Sequence, residues 1–318
     1  MVNSLGMSLL HLYMPLVGWV GLGWMCGRLL PLQIPYLLGK YLFWCGVPLS
    51  VIGFLYQADL SGPVWLASLV AWGGISTGLP LMWSWIQWQI HRGSLSPPLQ
   101  RLQQPKTQAS LLLVATLGNT GYLGYPVILA LVGAPYFGWA IFYDMATIVV
   151  GAYGIGVLLA SRLGQAHRTL AQAVQAIVIN PTLWSCFVGM ALRSLTLPSA
   201  LVSILQAIAW SSVVLALLLI GMRLSQLATW NHVRLVSVSL GIKLLLLPLT
   251  MGILLSLLGF DGAPRLVMVL QAAMPPAFST LVLAENFELD RETTVTALAL
   301  GSVALLITLP VWVWLFPV

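Results

Sequence analysis

Windows of about 20 apolar residues, each able to cross a hydrocarbon layer of roughly 30 Å, recur along the whole 318-residue chain. Only short polar connections separate them, so no stretch remains in which a water-soluble domain could fold. Charged residues make up 6% of the chain and hydrophobic residues 59%, against roughly 25% charged in soluble domains. A chain crossing lipid must satisfy its own backbone, and windows of this length do so as helices. The class is therefore an all-α polytopic membrane protein.

The apolar windows fall at roughly 6–27, 36–57, 63–90, 109–132, 135–160, 172–193, 198–222, 233–258, 264–286 and 292–316. The longest connection, His91 to Gln108, is polar and proline-bearing, with no apolar period of its own. The other connections are short, which predicts antiparallel neighbours. Arg28, Lys40, Arg92, Arg101, Lys106, Arg162, Arg168, Arg223, Arg234 and Arg291 all fall at one set of alternate loops. Only Arg193 and Arg265 fall at the other set, and Lys243 lies within a span. That bias marks the first set as cytoplasmic and predicts a multi-pass protein of the cell (inner or plasma) membrane, both termini extracytoplasmic. It also explains the net charge of +6 by topology, with no nucleic acid expected as a partner. The first basic residue is Arg28, so the charged start of a cleavable signal peptide is missing and the first window is expected to stay as a helix. Cys26, Cys45 and Cys186 are odd in number, lie in apolar segments and read as small buried hydrophobes.

A faint internal repeat is present. Pro15 stands eight residues before Gly23 in the first span, and Pro181 eight before Gly189 in the sixth. Pro80 follows Pro15 by 65 residues, and Pro248 follows Pro181 by 67. The repeats run 1–160 and 172–318, joined by a short cytoplasmic linker at 161–171. With five spans each, the second copy enters the membrane from the opposite side. Each fourth span is interrupted, by GNTGYLGYP at 118–126 and by AAMPPAFST at 272–280. Interrupted helices leave N–H and C=O groups that only protein or a water-lined cavity can receive. Inverted-repeat carriers place such breaks at mid-membrane around their substrate.

Asn119, Thr120, Gly121 and Pro126 in the first break, with Met274, Pro275 and Pro276 in the second, are therefore the candidate substrate-binding residues. Asn119 and Thr120 offer side-chain donors and acceptors beside freed backbone, whereas the second break offers mainly backbone. Either residue could instead serve only to satisfy the broken helix. Asp144, near the middle of the fifth span, is a candidate proton carrier or a structural carboxyl. Lys243 could snorkel to an interface, pair with Asp144 or meet an anionic substrate. Glu285 is the one acid of the run 285–292 placed to sit inside the membrane. Asp144, Lys243 and Glu285 are thus the candidates for proton or ion coupling. Asn180 before Pro181 reads as a helix start. The histidines are scattered without metal spacing, no GxSxG, HExxH or Walker A pattern occurs, and neither an enzyme, a cofactor nor a metal is expected.

Taken together, LGNTGYLGYP (117–126), FYDMATIVVGAYGIGVLL (142–159), INPTLWSCFVGM (179–190), KLLLLPL (243–249) and AMPPAFSTLVLAENFELDRETTVTAL (273–298) resemble the auxin efflux carrier permeases. The resemblance runs over nearly the whole chain in order. It implies two inverted five-helix repeats, a scaffold at about 6–57 and 172–222, and a transport core at about 63–160 and 233–316. It implies elevator-type transport of small organic anions, auxin-like or mono- and dicarboxylate, with Asn119 at a carboxylate-holding position and a homodimer as the plant assembly. The long cytoplasmic loop of the plant carriers is missing here, and no asparagine stands beside Pro275 and Pro276. The expected partners are a small organic anion, H+ or Na+ as coupling ion, membrane lipid and a second copy. The alternatives are a sodium-coupled symporter of a bulkier anionic or sterol-like solute, as in the bile-acid carriers of the broader fold, and a non-transporting membrane sensor.

Overall fold

The computed structural model of the protein describes residues 2–31, 33–93, 97–164, 175, 178–225 and 232–318. Regular structure among the described residues is helical, apart from a single isolated antiparallel bridge. In chain order the helices are α1 Val2–Leu29, α2 Gln33–Gln57, α3 Leu66–His91 and α4 Pro105–Thr116. Next come α5 Thr120–Leu131, α6 Ala134–Leu163, α7 Pro181–Leu192 and α8 Ser199–Ser225. The last four are α9 Val233–Leu257, α10 Gly262–Ala272, α11 Phe278–Asn286 and α12 Arg291–Leu315. Helices α2, α3, α6, α8, α9 and α12 are each long and apolar enough to cross a bilayer. The chain is an all-helical, multi-pass membrane protein.

Proline explains where several of these helices loosen. The π-helical turns Leu42–Gly46, Thr120–Gly124 and Ile242–Leu246 are each followed two residues later by a proline, at Pro48, Pro126 and Pro248. A proline ring in a helix collides with the carbonyl four residues back and offers no N–H. Widening the preceding turn by one residue relieves the collision. Thus Val47 N–H reaches back five residues to Leu42 O, and Leu247 N–H to Ile242 O. The longer π segment Thr147–Gly156 in α6 contains no proline and has another origin.

The chain divides into two compact units. The first comprises Met1–Val64, Gly121–Ile141 and Asn180–Ala228. In it α1 lies so close along α8 that a Cβ on Gly23 would stand 2.2 Å from Leu218 O. Its aromatic core joins Tyr125 of α5, Phe137 of α6, Phe54 of α2 and Trp210 of α8, with successive ring centroids 4.9–5.3 Å apart. Asn180 caps α7, accepting from Thr182 N–H at 2.9 Å with Pro181 at the first helical position, as read from the sequence.

The second unit comprises Trp65–Thr120, Phe142–Ile179 and Thr229–Val318. Helix α4 is its axis. Leu111, Leu112, Val114 and Ala115 pack with Met82 and Ile86 of α3, Leu235 and Leu247 of α9 and Ala297 of α12. The opposite face, Ala109 and Leu113, packs with Ala152 and Ala160 of α6 and Leu283 of α11. A helix apolar all round is buried all round. The connection between α3 and α4 corrects the sequence reading, because Pro97–Gln103 forms a 3-10 helix and α4 begins at Pro105. Leu99 and Leu102, three residues apart, match the 3-10 period, and Leu102 is fully buried in the cluster on α3 and α4.

Candidate functional site

Between α4 and α5 the backbone is extended at Leu117–Asn119, and between α10 and α11 at residues 275–277. The two stretches pair. Gly118 stands opposite Pro276 in an antiparallel bridge, Asn119 N–H donates to Pro275 O at 2.7 Å, and Ala277 N–H donates to Leu117 O at 2.9 Å. Each break thus receives the backbone groups freed by the other, which would otherwise lie unpaired at several kcal/mol each. Residue choice follows from this pairing. Opposed residues flanked by such bonds exchange none themselves, so Pro276 needs no N–H there. The same pair type brings backbones closest, and Gly118 leaves room: a Cβ there would stand 3.0 Å from Lys243 Nζ and 3.4 Å from Met274 O. Behind the prolines, α12 offers Gly301, where a Cβ would fall 2.6 Å from Pro276 Cδ.

Charge gathers around this bridge. The Thr120 hydroxyl donates to Asp144 Oδ1, and both side chains are 2% exposed. Lys243 is also 2% exposed, and its Nζ donates at 2.9 Å to Ala272 O, the last carbonyl of α10. A cavity of about 10 Å³, on the order of one water molecule, opens beside them. Thr116, Gly118 and Thr120 line it together with Tyr143 and Thr147 of α6 and Lys243 of α9. The wall mixes these polar groups with the apolar Ala71, Ile75, Leu247 and Ala272, and the space is closed to anything much larger than water.

A family model described as membrane transport protein matches residues 165–313. An uncharacterised transporter of Methanothermobacter thermautotrophicus is 28% identical over 272 residues, 84% of this chain and 84% of the relative. One from Methanocaldococcus jannaschii is 28% identical over 214 residues, 64% of this chain and 67% of the relative. The protein is a membrane transporter. Neither its family match nor its relatives point to an enzyme. The likeness to auxin efflux carrier permeases is supported too, since the matched stretch holds the motifs at 179–190, 243–249 and 273–298.

In this transporter Asn119, Thr120, Met274, Pro275 and Pro276 come together at the bridge, with Asp144 and Lys243 beside it. Gly121 and Pro126 fall in the first unit. Asn119 is buried, but the cavity is lined by Thr116, Gly118 and Thr120 and not by Asn119. Among the described residues its carboxamide makes no hydrogen bond. Lys243 does not snorkel, because its ammonium ends on Ala272 O. Glu285 is half exposed and pairs with Arg291 at 2.9 Å, away from the cavity wall. Thr116, Tyr143 and Thr147 escaped the sequence reading. Two spacings could have found them: Thr116 stands in the last turn of α4, two residues before Gly118, and Tyr143 and Thr147 are one helical turn apart, next to Asp144.

Proposed function

We propose that this transporter carries a small organic anion by elevator-type alternating access, with the bridged breaks as its substrate site. The observation that carries the reading is the reciprocal pairing of Leu117–Asn119 with residues 275–277. An antiparallel pair with matched bonds on both sides of Gly118 and Pro276 has local two-fold symmetry. Such symmetry is what two five-span repeats of opposite insertion would bring to their meeting point, which favours ten spans in two inverted halves. The second unit holds the whole bridge and supports the role of a moving transport core, with the first as scaffold. The amino end of α11, with its partial positive charge, follows the second break directly and suits a carboxylate. A cavity of about 10 Å³ excludes an organic anion until its wall opens, as an occluded stage of alternating access requires.

The test is uptake of labelled mono- and dicarboxylates into liposomes holding the purified protein. Flux of one class above protein-free liposomes is expected, with Asn119→Ala and Thr120→Val each reducing it at least tenfold while folding is retained. Flux unchanged in both folded variants rejects the site, and no flux of any carboxylate rejects the substrate class.

A further inference from the structure

Lys243 is placed where a coupling ion would be expected. It stands in the π turn Ile242–Leu246 of α9, and its single hydrogen bond among the described residues goes to Ala272 O, at the carboxyl end of α10. Nζ also lies against the extended backbone at Gly118, 3.0 Å from where a Cβ would stand. The ammonium therefore touches both breaks at once. Carboxyl ends of half-helices carry partial negative charge, and unwound carbonyls beside them are the groups that hold a metal cation in broken-helix carriers. An ammonium has three N–H donors, one of which is used on Ala272. Lys243 lines the water-sized cavity, so its head faces the space where an anion would arrive.

We propose that the tethered ammonium of Lys243 takes the place of a coupling metal cation at the bridge, so that the carrier binds its anion without sodium or any other alkali cation. The inference rests on the bridge being the substrate site. Anion charge is then met by the N–H donors of Lys243 that Ala272 leaves free. Sodium-coupled symport would need a second cation packed against this one in a space of about 10 Å³. Like charges that close in a poorly screened interior repel by several kcal/mol.

The experiment reads cation binding, so it is separable from the flux assay. The unfolding midpoint of the full-length protein is measured in sodium, potassium and choline chloride at equal ionic strength, for wild type and Lys243→Ala. A ligand that binds the folded state alone raises the midpoint by mass action. Wild type should unfold at the same temperature in all three salts. Lys243→Ala should unfold earlier and be restored, saturably, by methylammonium or sodium but not by the bulkier choline. A saturable, sodium-specific rise in wild type overturns the proposal, as does a Lys243→Ala protein that responds to these salts no differently from wild type. If Lys243→Ala does not fold, the wild-type comparison alone decides, equal midpoints supporting the proposal and a sodium-specific rise overturning it. Loss of all carboxylate flux with this cation pattern intact would sink the transport reading and leave the tethered cation standing.

Discussion

Replacing Gly301 by alanine tests whether the backbone bridge is rigidly backed by α12. The new Cβ would fall 2.6 Å from Pro276 Cδ, 3.1 Å from Leu240 Cδ2 and 3.2 Å from Pro275 Cβ. Against a comfortable carbon–carbon separation of about 3.5 Å, the shortfall at Pro276 is roughly 0.9 Å. A proline ring cannot rotate away, so either α12 or the bridge must shift. Overpacking of this kind costs about 1–3 kcal/mol. Alanine in place of a helical glycine also gains up to about 1 kcal/mol of helix propensity, which has to be removed from the comparison. Gly241→Ala supplies that reference, because Gly241 has helical dihedrals and a Cβ there meets nothing within 4 Å. Both variants carry the propensity gain, so the difference between them isolates the packing cost. Thermal unfolding in detergent should place Gly301→Ala below Gly241→Ala by about 1–3 kcal/mol, with Gly241→Ala at or above wild type. Carboxylate flux should fall in Gly301→Ala alone. Equal midpoints for the two variants would refute the reasoning, since the prolines would then have room to yield.

Asp290 lies outside the spans and caps α12, accepting from Thr293 N–H at 3.1 Å and from the Thr107 hydroxyl at 2.8 Å. Burial pushes its carboxyl up, but those bonds and the nearby Arg101 charge outweigh burial and hold it below the usual carboxylate range. A lowered folded-state value stabilises above the unfolded value and fades as pH falls through the folded one. Asp290→Asn should therefore unfold earlier than wild type at neutral pH, and the gap should close on acidification; a gap independent of pH would count against this account. The Arg193 guanidinium donates to Leu55 O and Ala58 O at 2.5 Å each, closing the carboxyl end of α2. Arg193→Met keeps much of the stem and should cost about 1.5–3 kcal/mol by denaturant titration, against no change if those carbonyls find water instead. Gly221→Ala sets a Cβ 2.0 Å from Val20 O and 2.6 Å from Trp24 N, where only backbone can move. It should lower the unfolding midpoint more than Gly301→Ala does, and a smaller effect would show that α1 slides freely on α8.

Much of this protein was legible in its sequence because lipid leaves few choices. Backbone must be paired within a helix or at a protected break, so apolar windows announce spans, and a Gly-Asn-Thr-Gly run or a Pro-Pro pair announces where a span opens. The prolines at 48, 126 and 248 each follow a widened turn, whereas Pro15, Pro80 and Pro310 stand inside helices that stay regular, so proline alone does not announce the widening. Asp144 and Lys243 stood out as charges in apolar runs.

What the sequence could not settle was which partner each freed group would find. Leu117 and Ala277 are 160 positions apart, and the hydrogen bond between them belongs to the fold of the whole second unit. The direction of a single side chain depends on the same pairing. Asn119 is held through its N–H on Pro275 O, and it is Thr116, Gly118 and Thr120 that reach the cavity wall. The fate of the Lys243 ammonium turns on the position of α10, whose last carbonyl receives it. Local chemistry fixed where the helices had to break, and long-range packing decided what would fill the gaps.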